Sequence, residues 1–256
     1  MVSVTVTIVQ ASIQFASALL YLWVARIILM RHLEGDTKKA NTLFGVWWLA
    51  LGIVFLFAPL FSVLPQIVGY RNLAFSVSLL NALLVLIVVA AWGLVYYLVY
   101  LYSGNPRWFW PLTAFYVLLA FGLLYLVAWL NPNGFKESGA LSFEREQLTG
   151  APQIGIGLLF SLPVVIAALA YGSLFFQVEG AAAKYRIGLV SGGFILQFGW
   201  STLSSLLQLS QRYPEADWLP LVSNVLGVVA ALCVLIAFRP PRALRQRFGL
   251  PEPGGT

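Results

Sequence analysis

The sequence predicts an all-α polytopic membrane protein with seven transmembrane helices, its N-terminus outside and its C-terminus in the cytoplasm. Three observations predict it: apolar runs of spanning length, too few charges for a watery surface, and an uneven distribution of lysine and arginine. Only 9% of the 256 residues are charged and 60% belong to the hydrophobic set, whereas a soluble domain carries roughly 25% charged residues. A chain this poor in charge needs lipid as the solvent for much of its surface. A helix crosses the hydrocarbon core in about 20 residues. Only helices and closed barrels satisfy their backbone hydrogen bonds there, and long continuous runs select helices.

The runs fall at 4–30, 41–64, 72–102, 108–130, 153–178, 187–209 and 218–238. Each suits a tilted helix. Connectors on one side hold eleven basic residues: Arg26, Arg31, Lys38, Lys39, Arg107, Lys184, Arg186, Arg239, Arg242, Arg245 and Arg247. The other side holds four, Arg71, Lys136, Arg145 and Arg212. The positive-inside rule places the richer side, and with it the C-terminus, in the cytoplasm. The net charge of +6 therefore reflects loops facing an anionic leaflet, and no nucleic-acid partner is expected. Trp108, Trp110, Trp129 and Trp218 fall at the expected interfaces, as an aromatic belt does. The expected location is the cytoplasmic membrane of a prokaryote. No cleavable signal peptide is visible, since the first run lacks a basic start and is too long.

The chain divides into a bundle, residues 1–238, and a short basic cytoplasmic tail, residues 239–256. Two prolines, Pro240 and Pro241, end the seventh run. The tail is a membrane-proximal anchor or, more sharply, a docking strip in which Arg239, Arg242, Arg245 and Arg247 would meet a partner. The longest outer loop, residues 131–152, opens on the turn chemistry of Asn131-Pro132-Asn133-Gly134. It is either a plain connector or a lid built on residues 140–148.

Pro59, Pro111 and Pro163 lie within or near run ends, where they can bend helices. The Gly192-Gly193 pair permits close packing or a hinge. A weak repeat lays residues 39–52 on residues 186–199, matching Gly45 with Gly192, Trp47 with Phe194, and Gly52 with Gly199. Runs one to three would then repeat as five to seven around a linker, a parallel 3+1+3 arrangement.

The residue inventory excludes several chemistries. No ionisable residue sits at the centre of a run, which argues against a carboxylate-based proton pump. The seventh run has no lysine to hold retinal as a Schiff base. The single histidine, His32, and single cysteine, Cys233, leave no metal site, no bis-histidine haem and no internal disulfide. No nucleophile with its partners is in reach, so no catalytic residue, enzyme activity or cofactor is expected.

Uncharged polarity remains, and it gathers in the outer halves of four runs. Gln10 and Gln14 are four apart, on one face of the first. Ser76, Ser78 and Asn81 open the third, and Ser223 and Asn224 open the seventh. Gln197, Ser201, Ser204, Ser205 and Gln208 form a stripe along the sixth. Two readings stay open. These groups bridge helices at about 1 kcal/mol each, or they line an outward-facing pocket for a neutral or lipid-like small molecule. The pocket would use Gln10, Gln14, Asn81, Gln197, Ser201, Ser204, Gln208 and Asn224.

Seven spans with the N-terminus outside, a basic residue leading into a Gly- and Trp-bearing helix (Lys39 to Gly52), and the stretch Tyr96 to Trp110 with its aromatics, Gly-containing turn and basic residue are similar to the seven-helix sensor regions heading some bacterial histidine kinases and cyclases. The resemblance spans most of the chain through loose motifs. It implies a membrane-embedded sensor. It departs in one respect: the 18 residues after Phe238 hold no cytoplasmic catalytic domain, so output would pass through a separate cytoplasmic or membrane partner. The rival expectation is a small-solute transporter built from the three-helix repeat.

Overall fold

The computed structural model of the chain describes residues 4–30, 35–62, 73–129, 151–209 and 219–250. Among the described residues the protein is all-helical. In chain order the helices are α1 (Val4–Leu29), α2 (Gly35–Ser62), α3 (Leu73–Ser103), α4 (Phe109–Trp129), α5 (Ala151–Gln177), α6 (Ala181–Leu209), α7 (Leu219–Phe238) and a short α8 (Arg242–Phe248). A 3-10 turn, Pro106–Trp108, leads into α4. Positions 131–150 of the long loop lie outside the described residues.

Three helices are long and apolar enough to cross a membrane over their described residues: Ala11–Leu29 in α1, Lys38–Phe57 in α2 and Ala82–Ser103 in α3. A fourth segment, Asn224–Phe238 of α7, qualifies only together with α8, which bends away from it by 58°. Large apolar side chains face outward on these and the other helices, among them Trp23, Val89, Leu118, Phe121, Leu169 and Phe176. An apolar exterior of this kind suits lipid and not water.

α2 and α6 each start six residues earlier than the apolar pattern expects, at Gly35 and Ala181 rather than 41 and 187. Lys38, Lys39 and Ala40, and likewise Ala181 to Lys184, are good helix formers, so the helix carries on past the apolar run. The tail also gains structure. α8 starts directly after Pro241 and stops at Gly249, whose left-handed conformation caps it. Phe248 lies 4.9 Å from the Tyr185 ring, and Leu250 is buried. The tail thus folds back against the start of α6.

Six helices close a ring in the order α1, α2, α3, α5, α6, α7 and back to α1. α4 stands outside it, packed on α3 and α5. Close backbone approaches hold the ring. A Cβ built on Gly193 would lie 2.8 Å from the Val234 Cγ2 and 3.2 Å from the Ala230 carbonyl oxygen, so α6 and α7 meet with no room for a side chain there. Nothing comes within 4 Å of the same position on Gly192. Within the glycine pair, Gly193 is the packing residue.

The repeat alignment does not extend to the glycine contacts. Gly45 and Gly52 abut Leu29 and Leu22 of α1, whereas Gly192 faces open space and Gly199 faces Leu226 of α7.

Candidate functional site

Helix ends position the charges. Every described lysine and arginine sits at one end of the bundle: at the C-terminal end of α1, in the turn between α3 and α4, directly after α7, near the N-terminal ends of α2 and α6, and in α8. Arg239, Arg242 and Arg247 are exposed and Arg245 is half-buried. Tyr185 ties this end together, donating to the Ile236 carbonyl at 3.3 Å. Burial pushes its phenol above the ordinary range, so it stays a neutral donor.

Above that end the ring interior is filled by aromatic side chains, at least one from each ring helix. Phe44 of α2 stacks on Tyr97 of α3 at 4.8 Å and lies 6.3 Å from Phe238 of α7. Tyr171 of α5 stacks on Phe194 of α6 at 5.8 Å. Trp48 of α2 meets Phe194 at 5.5 Å and Tyr21 of α1 at 5.7 Å. The hydroxyls in this plug are satisfied internally. Tyr97 and Tyr171 share a hydrogen bond of 2.8 Å. Tyr21 donates to the Gly227 carbonyl at 2.8 Å, joining α1 to α7 across 206 positions of sequence. Tyr21→Phe should lower stability by about 0.5–1.5 kcal/mol, read from the midpoint of unfolding in detergent.

A polar layer lies on the far side of the plug from the basic end. α6 runs away from that end, so Gln197 is one turn beyond Phe194 and on the same face. α1 and α7 run the other way, which sets Ser17 one turn beyond Tyr21 and Asn224 one turn beyond Gly227. Ser17, Gln197 and Asn224 are all buried. Ser17 donates to its own helix, to the Ile13 carbonyl at 2.9 Å. Gln197 is 0% exposed, and neither its amide oxygen nor its nitrogen has a hydrogen-bond partner. The Trp48 indole N–H is likewise buried without one. An unpaired amide in an apolar interior costs roughly 2–7 kcal/mol.

Of the residues singled out from the sequence, Gln197 and Asn224 thus share a level, and Gln14 is half-buried one turn beyond Ser17. The side chains of Gln10, Asn81, Ser201, Ser204 and Gln208 lie outside the described residues. Sequence reasoning passed over Trp48, Ser17 and Tyr21. Trp48 carried a signal, since it lies four residues after Phe44 and hence on the same helix face. Chemically the layer offers two amides, Gln197 and Asn224, each able to donate and to accept, and the Ser17 hydroxyl. Among its described residues it holds no fixed charge, and no described group of three His, Cys, Asp or Glu could hold a metal ion.

No family model matches this chain, and no curated protein or solved structure matches it either. The functional reading therefore rests on the geometry.

Proposed function

We propose that the chain is a seven-span protein of the cytoplasmic membrane that senses a neutral small molecule and acts through a separate partner. The N-terminus is outside, and the basic end with α8 faces the cytoplasm, in keeping with the positive-inside rule. The ligand enters from the outer end and stops at the layer of Gln197 and Asn224, above the plug that holds Trp48. One observation carries this reading: a fully buried amide with both polar atoms unpartnered, directly above a plug of packed rings. A polar group so placed needs a partner, and the plug below makes the site a dead end, not a passage. The resemblance to seven-helix sensor regions agrees with that role, and Arg239, Arg242 and Arg247 are the exposed groups that would meet the partner.

Gln197→Leu separates a ligand site from helix-bridging polarity. If the amide serves a ligand, replacing it with an apolar group of similar size removes an unpaired buried dipole. The ligand-free protein then unfolds at the same or a higher temperature, and any ligand-induced rise in Tm disappears. Uncharged polyols, amides and quinols are the panel to screen for that rise in the parent protein. A loss of about 1 kcal/mol or more in the ligand-free variant would mean that the amide holds helices together, and the sensor site would be abandoned.

A carrier is the second reading, favoured by the place of α4 outside a ring of two consecutive helix triplets. The non-equivalent surroundings of the aligned glycines and the aromatic plug weigh against it. Proteoliposomes should show no uptake of the panel compounds that bind.

A further inference from the structure

α2 and α4 both pack on α3, yet among the described residues they do not pack on each other. The gap between them is a groove of about 360 Å³ at the basic end, lined by Lys39 of α2, Tyr96 and Tyr100 of α3, and Pro106, Phe109 and Trp110. Its outer wall is a built element. Gly104 adopts φ +61°, and the Asn105 side chain accepts from the Arg107 N–H at 2.9 Å. Phe109 then packs edge-on against Tyr96, with centroids 5.4 Å apart, and Trp92 donates to Thr113 at 3.1 Å. The turn so fixed carries exposed Arg107 next in sequence to Pro106, which lines the groove, and Trp110 is 75% exposed. Val85 and Val89 share the helical stripe of Tyr96 and Tyr100 and stay exposed, so an apolar track continues along α3 away from the charges.

We propose that this groove holds one anionic phospholipid, its phosphate between Lys39 and Arg107 and one acyl chain along the α3 stripe. Three features point to that occupant. The groove opens on the apolar exterior and not on the ring interior. Its one lining cation, Lys39, and the neighbouring Arg107 belong to the basic end alone. Its tyrosines and tryptophan are the side chains that settle at headgroup depth. Free phosphate would match the cations and leave the apolar track unused. The site needs the chain to lie in a bilayer but is independent of the layer at Gln197, so either can fail alone.

The test is native mass spectrometry of the whole protein in detergent, incubated with dioleoyl phosphatidylglycerol or dioleoyl phosphatidylcholine. One bound phosphatidylglycerol is expected in clear preference to phosphatidylcholine. Lys39→Gln with Arg107→Gln should weaken it on the order of tenfold. Lys39→Arg should retain it. Lys184→Gln with Arg242→Gln, which removes the same charge elsewhere at this end, should leave it unchanged. Equal binding of the two lipids, equal loss in the two double variants, or displacement of the lipid by glycerol 3-phosphate at comparable concentration would each overturn the proposal.

Discussion

Trp48→Ala should lower stability by about 3–5 kcal/mol, the largest single loss expected in this bundle. The indole is fully buried and touches the rings of Tyr21, Phe44 and Phe194, so its removal leaves a void where three helices meet. In lipid, burial brings little solvent-driven gain, because lipid tails are as apolar as the side chains; lost van der Waals contact supplies the cost. Phe194→Ala should act on the same void. The double variant should then depart from additivity by about 0.5–3 kcal/mol. Equilibrium unfolding in mixed micelles reads both quantities. Additive losses would mean that the two rings do not form one plug.

Gly193→Val should have the second largest effect, a loss of about 1–3 kcal/mol or more from overpacking. Its Cβ would meet the Ala230 carbonyl oxygen, a backbone atom that cannot rotate aside, as well as Val234. α6 and α7 would have to separate along their whole contact. Gly192→Ala is the matched control. It has open space and a helical backbone, so it should gain about 0.5–1 kcal/mol from reduced freedom of the unfolded chain. The same unfolding assay measures both. Equal losses at the two positions would show that the helix pair tolerates neither, and that Gly193 has no special place.

Much of this architecture was legible in the residues. Among the described residues each apolar run overlaps one long helix, because apolar length and turn residues such as Gly104-Asn105-Pro106 are local signals. The early starts of α2 and α6 were not, since a helix can outrun its apolar face wherever lysine and alanine favour it. α8 was hidden because Pro240-Pro241 reads as a stop, although proline at the start of a helix costs nothing. The place of α4 outside the ring could not be read at all. Its sequence, Phe109–Trp129, carries no charge on any side, so no face marks the lipid. Spacing identified Gln197 as deep and polar. It could not show that Trp48, more than a hundred residues away, closes the space beneath it, because a single sequence reveals which residues share a helix face and not which helices are neighbours.

The sidedness of the basic end carries the whole account, and sided cysteine labelling tests it most directly. With Cys233→Ala as background, single substitutions Lys39→Cys, Arg107→Cys, Lys184→Cys and Arg242→Cys are exposed to a membrane-impermeant maleimide in intact cells and in inverted vesicles. The account predicts reaction at all four positions in inverted vesicles and at none in intact cells. Labelling of any one from outside, with the others reacting only from inside, would contradict the seven-span arrangement and with it the outer ligand site.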